Sequence, residues 1–362
     1  MRKSSKGPLD VDEATEPRTP RVVPDVDLRF LQNKAIYHSL PTDGVHPAFI
    51  ASDNQPPAGT SLAELLQGGY FRRAADLIPG ELQTCPPADV ERMMQLLFIR
   101  LACLILIGRP ALAAAEAIPL TEVLGRGTPG IKVVVPWNLR LLLVRLQSVD
   151  AADGGRRGIM SLYALAAEVR ARAREALAED DQQTFELWSQ RLKEMGLRVA
   201  DALAEMGELE TAQRHLDSLG EANDDISYRK ALLNLRMGDV ESARHAVQQM
   251  RDKTELEPLL NLADDNLNEA IKAWMQENTP LAANNQAVAK LYSGHINASR
   301  RTLEELSIRQ PFPSSLYNLG TVYDLCSVQS AKDKQELAQK IATGKPQSMC
   351  GGWEKSNADF KV

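Results

Sequence analysis

One string in the sequence has the spacing of a phosphate-binding loop: Gly125-Arg126-Gly127-Thr128-Pro129-Gly130 fits G-x-G-x-x-G. In a dinucleotide site such glycines let the backbone approach a pyrophosphate, and the next helix offers its N-terminal N–H groups to it. That chemistry requires a buried strand before the string and a helix after it. Here a polar, helix-like Thr121-Glu122-Val123-Leu124 precedes it, and Ile131 to Pro136 reads as extended and then broken. The order is reversed, so the string reads as a loop between helices. Gly344-Lys345-Pro346 carries the Gly-Lys of a phosphate loop without its upstream Gly or following Ser/Thr, and reads as a helix terminator.

Metal chemistry has no better footing. The five histidines (His38, His46, His215, His245, His295) include no HExxH and no pair four apart. Asp264-Asp265-Asn266-Leu267-Asn268-Glu269 has the composition of a calcium loop but lacks its central Gly and terminal bidentate Glu. Cys85, Cys103, Cys326 and Cys350 are far apart with no CxxC, which excludes a zinc finger or a disulfide framework and fits a reducing compartment. Asn297-Ala298-Ser299 is a formal glycosylation sequon inside an expected helix. No activated nucleophile or paired carboxylate stands out, so no catalytic, cofactor-binding or metal-binding residue is assigned and no cofactor is expected.

Two polar groupings bear on partners. In Arg170-Ala171-Arg172-Ala173-Arg174 only Arg170 and Arg174 share a helix face, with Glu168 and Glu175 nearby, which reads as a solvated face rather than a nucleic-acid patch. Lys230 and Asn234 lie four apart on one helix face, and Asn284-Asn285 comes in a later repeat. Such side chains in a repeat groove suggest an alternative function, a stand-alone co-chaperone-like module that grips peptide ends.

The elements that would position these residues are helical. Among 362 residues 44% are hydrophobic but only 5% aromatic, and Ala and Leu are abundant. The formal net charge of −6 argues against a general nucleic-acid or anionic-membrane binder. The most apolar run, Leu96 to Ile107, is too short to span a bilayer and contains Arg100, so it reads as a core helix of a soluble chain without direct membrane insertion.

Eight of the twenty prolines lie in residues 1–60 and none between Trp137 and Glu257. Residues 1–27 mix charge and proline with few apolar side chains and are expected to be disordered. Residues 28–60 read as an irregular arm, 61–342 as a helical array on which that arm packs, and 343–362 as an extended tail whose Trp353, Phe360 and Val362 are more apolar than solvation requires.

Within the array a short block recurs: a turn residue, an apolar residue two on and a small residue five on. It begins at Gly69, Gly108, Gly155, Gly207, Gly238, Asp265 and Gly294, and the copy at Gly155 is degenerate. The Gly ends one helix in the left-handed conformation, and the small residue lets two helices approach closely. That is the turn of a tetratricopeptide repeat. Ala200, Ala231 and Ala287 stand seven residues before their glycines, and Leu316…Leu319-Gly320…Tyr323 matches the first-helix pattern. The packing signature is therefore Gly207, Ala212, Gly238, Ala243, Gly294, Gly320 and Tyr323. Successive turns from Gly207 to Gly294 are 31, 27 and 29 residues apart, but those from Gly69 to Gly207 are 39, 47 and 52 apart. The fold expected is an all-α, irregular tetratricopeptide-like solenoid.

The segments Ala282 to Gly294, Ser299 to Glu304 and Leu316 to Leu325 resemble the subunit 12 family of the transport protein particle (TRAPP) complex. The resemblance continues in the Lys- and Gln-rich Ala331–Ile341, and upstream in Leu28-Arg29-Phe30-Leu31, Leu62 to Leu66 and Val135 to Leu142. It covers residues 28–342 in order, and the chain departs from it in its short N-terminus, where animal members carry a long acidic extension. The resemblance implies a non-catalytic scaffold subunit of a TRAPP III-type vesicle-tethering and Rab guanine-nucleotide-exchange complex, serving ER-to-Golgi traffic and autophagy. Its implied partners are a large outer subunit and the small core subunits, and through them a Rab GTPase. Its implied place is cytoplasmic, peripheral at early Golgi and ER–Golgi intermediate membranes. Candidate partner contacts are Phe30, Leu31, Trp137, Arg140, Asn284, Asn285, Trp353 and Phe360.

Overall fold

The computed structural model describes residues 26–149, 151, 153–220, 223–346, 348 and 351–362. The expected disorder of residues 1–27 falls, apart from Val26 and Asp27, outside them, as does Cys350. Among the described residues the chain is all-α, with eighteen α-helices and no strand. They are α1 Pro47–Ile50, α2 Leu62–Gln67, α3 Phe71–Thr84, α4 Val90–Leu106, α5 Pro110–Gly125, α6 Ile131–Val134, α7 Trp137–Leu146, α8 Arg156–Ala178 and α9 Gln182–Glu205. The series continues with α10 Leu209–Ser218, α11 Asp224–Met237, α12 Val240–Gln248, α13 Glu257–Ala263, α14 Leu267–Gln276, α15 Pro280–Tyr292, α16 Ile296–Arg309, α17 Pro313–Cys326 and α18 Ser330–Ala342. Ile131–Val134 is thus a short helix rather than the extended run expected, started by Gly130 in the left-handed conformation.

Two compact units form. One comprises the described residues through 39 with those of 75–221, the other residues 40–74 with those of 222–362, the division falling inside α3. The arm 28–60 is therefore shared between units, its first part in one and its second in the other. In the first unit α4 packs on α5, α5 on α7, α7 on α8, α8 on α9 and α9 on α10. In the second each helix from α11 to α18 packs on the next, and α15 also meets α17 and α16 meets α18. Contact with the next helix and the next but one is how a helical repeat builds a continuous core.

The turns show why. Gly69, Gly108, Gly207, Gly238, Asp265 and Gly294 all have positive φ, between 62° and 83°. Each closes its helix with the same pair of hydrogen bonds: Gly238 N–H donates to Leu235 O while Asp239 N–H donates to Asn234 O, and Gly294 and His295 do the same to Leu291 and Lys290. This pair of bonds is the Schellman motif. The residue after the turn is already the N-cap of the next helix, as Asp239 accepts from Ser242 N–H at 3.0 Å. Two residues therefore reverse the chain. The small residue five on from each of these turns (Ala74, Ala113, Ala212, Ala243, Ala270, Ser299) is fully buried. The Gly155 copy departs from the pattern: Gly155 starts α8 rather than ending a helix, and Met160 in the small-residue place is 67% exposed.

Candidate functional site

In the first unit, Arg100 and Glu116 are brought together by α4 and α5 with side chains 1% and 0% exposed. The guanidinium grips the carboxylate through both ends, Nε to Oε2 at 2.9 Å and Nη2 to Oε1 at 2.6 Å. Its remaining N–H groups donate to Ala75 O and His38 O, each at 2.7 Å, and Glu116 Oε1 also accepts from His38 N–H at 2.8 Å. Every polar atom of the pair thus has a partner, the condition under which buried charge is tolerated. The tyrosine hydroxyl of Tyr37 is pushed well above its ordinary range, by burial first and by the Glu116 charge second, against the opposing pull of Arg100. Burial likewise pushes the Cys103 thiol up to about 12, leaving it without thiolate reactivity at neutral pH. The pair's chemistry is positional: it ties the backbone at His38 to α3, α4 and α5.

A second polar cluster lies on α6 to α9. The Arg191 guanidinium sits 4.9 Å from the Trp137 ring centre and 4.8 Å from that of Trp188, and the two indoles meet edge to face at 5.9 Å. Arg140 binds Glu168 through two hydrogen bonds of 2.9 and 2.8 Å, and Lys132 adds a third at 3.0 Å. Burial raises the pKa of Glu168, but the hydrogen bonds and charges of Arg140 and Lys132 outweigh it, so the carboxyl lies below its ordinary value.

The second unit is closed by a clasp of two segments distant in sequence. His46 N–H donates to Lys355 O at 2.9 Å, Asn357 N–H to Gly44 O at 2.9 Å and Trp353 N–H to Gly69 O at 3.0 Å, with an antiparallel bridge from Val45 to Ser356. Arg72 seals it with a bidentate pair to Glu354 at 2.8 and 2.7 Å. Inside, Phe49, Trp353 and Phe360 join Leu316, Leu319, Tyr323, Leu337 and Ile341 in one core. Gly320 is small for this reason: a Cβ there would stand 2.8 Å from Phe360 O. At the other end Ser52 and Asn54 donate to Ala342 O, and Asn54 also to Gly344 O, satisfying carbonyls left open at the end of α18. His46 caps α1 through Nδ1, which accepts from Ala48 N–H at 3.2 Å. Burial holds its pKa below the ordinary imidazole value.

These placements settle where the sequence candidates lie. Leu31, Trp353 and Phe360 are core side chains, and Trp137 is 7% exposed against Arg191, so these apolar groups face the protein's own interior rather than another chain. Phe30 is half-buried, and Arg140 is engaged with Glu168. Asn284 is buried and accepts from Asn318 Nδ2 at 3.0 Å, while Asn285 is half-exposed beside it. Of the peptide clamp, Asn234 is 3% exposed, so it cannot share an open face with Lys230. Tyr323 donates its hydroxyl to Glu304 at 3.0 Å under the Arg300 guanidinium. The Gly125–Gly130 string joins the end of α5 to α6, with left-handed backbone at Gly127 and Gly130.

Motif and spacing alone do not single out Glu116, His46, Arg72, Arg191 or Lys355. One signal for the buried pair is nevertheless present in the sequence. Glu116 is the one charge between Pro110 and Leu120, and Arg100 the one charge between Met93 and Ile107. A lone charge in each of two successive apolar stretches has to find a partner on folding. Among the described residues no group of three or more His, Cys, Asp or Glu is placed to hold a metal ion, and no helix is long and apolar enough to cross a membrane.

No protein-family model matches the chain. It is 26% identical over 379 residues to a Homo sapiens protein called trafficking protein particle complex subunit 12, a match covering 88% of this chain and 50% of that protein. It is also 26% identical over 380 residues to the Mus musculus protein of that name, covering 89% and 46%. The chain thus spans about half the length of the curated relatives it matches.

Proposed function

Since its similarity along most of its length supports assigning the chain to the trafficking protein particle complex subunit 12 family, we propose that it is a non-catalytic scaffold subunit of such a particle. The observation that carries this reading is that the match runs through nearly the whole helical array rather than through one repeat. Tetratricopeptide units share turn and packing residues whatever they bind, so a short match would mean only a shared fold. A helical repeat supports a scaffold role physically, because stacked helices present long surfaces with many exposed side chains on a stiff frame. The work of such a subunit is to hold other chains in register, and its partners would be the particle's large outer subunit and small core subunits. Exchange on a Rab GTPase, ER-to-Golgi traffic, autophagy and a peripheral place on early Golgi membranes would then belong to the assembly.

Affinity purification of the full chain under mild salt tests this. The expected result is near-equal recovery of particle subunits with the chain; recovery of the chain alone overturns it. The peptide-clamp alternative is disfavoured by the burial of Asn234, and unchanged peptide binding in Lys230→Ala would remove it altogether.

A further inference from the structure

Among the described residues Arg100 is the largest side chain buried completely, and its hydrogen bonds do more than satisfy its own charge. Two of them reach main-chain oxygens far apart in sequence, His38 O and Ala75 O, each at 2.7 Å. These two residues have a particular place in the chain. The first unit runs through Ser39 and resumes at Ala75, and the residues between, 40–74, complete the second unit. One guanidinium therefore holds both ends of the segment that leaves its own unit.

Both ends are prepared to be held. Ala75 lies in α3, where its carbonyl would ordinarily accept from the N–H four residues on, but that residue is Pro79, which has none. The carbonyl is left open at a fully buried residue, and Arg100 fills it. His38 lies outside any helix, and the buried pair partners both of its peptide groups, Glu116 Oε1 accepting from the N–H at 2.8 Å and Arg100 donating to the oxygen. An arginine is needed for this: its planar fork holds the carboxylate with two N–H groups and still has donors for two carbonyls.

Between these ends the segment makes the clasp. Phe49 is buried in one core with Trp353 and Phe360, Gly44 and His46 bond to residues 357 and 355, and Arg72 binds Glu354. Residues 40–74 are thus a strap, with its feet in the first unit and its fastening in the second. When the clasp opens, a strap pinned at both feet gains less conformational freedom than one with a loose foot. Pinned feet therefore keep the clasp shut.

We propose that Arg100 and Glu116 are positioning residues for the strap 40–74, a conformational device by which the buried pair of the first unit sets how often the clasp of the second unit opens. The coupling runs along the chain itself, from His38 through Phe49 to Arg72 and Ala75. It requires no direct contact of the pair with the clasp.

Amide hydrogen exchange of the full chain tests this, because it separates the grip on the feet from stability. Arg100→Met/Glu116→Leu replaces the pair by apolar side chains of similar size, which leaves no buried charge stranded but cannot hold either foot. Amides of residues 44–49 and 351–360 are expected to exchange about tenfold faster or more, while those of α12 to α14 keep their rates. Val169→Ala on α8 is the control: it opens a cavity at a fully buried site of the first unit and touches neither foot, so the clasp is expected to keep its rates. Should the double variant not fold, Arg100→Lys, which keeps a cation against Glu116 without the fork, is read in the same way. Clasp rates unchanged in the folded variant, or raised equally by Val169→Ala, overturn the proposal.

Discussion

The two units are built on different physical plans. In the second, α11 to α18 succeed one another through short turns, and most of the specificity is local: a left-handed residue, an N-cap and a buried small residue. In the first, fewer turns obey that rule, and the helices are tied by polar side chains that meet only after folding, Arg100 with Glu116 and Arg140 with Glu168. Local rules tolerate change at any one turn, because each fixes only its neighbours. A buried ion pair does not, because removing one member strands the other in a place water cannot reach.

The largest expected effect is therefore in the first unit. Arg100→Met should cost about 3–5 kcal/mol of stability, the usual result of breaking a buried pair from one side. Arg100→Met/Glu116→Leu should recover much of that loss in urea unfolding. A single-variant cost near that of an exposed salt bridge would show that the pair does not hold the unit.

Next comes the clasp, where the second unit depends on distant contacts. Gly320→Ala forces its Cβ toward Phe360 O, so the carbonyl and its turn must shift. A cost of about 1–3 kcal/mol is expected, together with faster amide exchange in residues 351–362. Unchanged exchange there would mean the close approach is not needed.

The clasp should also respond to pH. Burial lowers the His46 pKa, and its Nδ1 must stay unprotonated to cap α1. The unfolded chain takes up the proton near pH ~6.5 and the folded chain only below that. The stabilisation is therefore complete above the unfolded value and is lost as pH falls through the folded one. Thermal melts should show a falling midpoint below pH ~6.5, and His46→Asn, which keeps a cap but cannot titrate, should flatten that slope. An identical slope in the variant would remove His46 as its cause.

The contrast explains what could be read from the sequence. Gly207, Gly238 and Gly294 with Ala212, Ala243 and Ser299 announce their turns because the whole device lies within six residues. The partners of Phe360 could not be found this way. Its core is assembled from Phe49, Leu316 and Trp353, and only folding brings residues 44–46 to 355–357. Apolar anchors were legible in the tail, but not that Trp353 and Phe360 pack into the chain's own core while Val362 stays 71% exposed. Candidate contacts chosen for size and aromaticity, such as Trp137 and Phe360, proved to be core because those same properties drive burial.

The smallest effect sharpens the rule of the local turns. Asp265 occupies the left-handed position that Gly fills at Gly238 and Gly294, at φ 62°. Asp265→Gly relieves that backbone, offset in part by the greater freedom of Gly in the unfolded chain, for a net gain of a few tenths to about 1 kcal/mol. Gly238→Ala should lose about 1–2 kcal/mol. Opposite signs in chemical unfolding are expected, and equal signs would break the equivalence of the two turns.

Cross-linking mass spectrometry of the natively purified assembly bears most directly on whether this chain is a particle scaffold. Lysine cross-links from both units to subunits of a trafficking particle, at sites reproduced between preparations, are the predicted result. Cross-links confined to this chain, with no particle subunit joined to either unit, would contradict it.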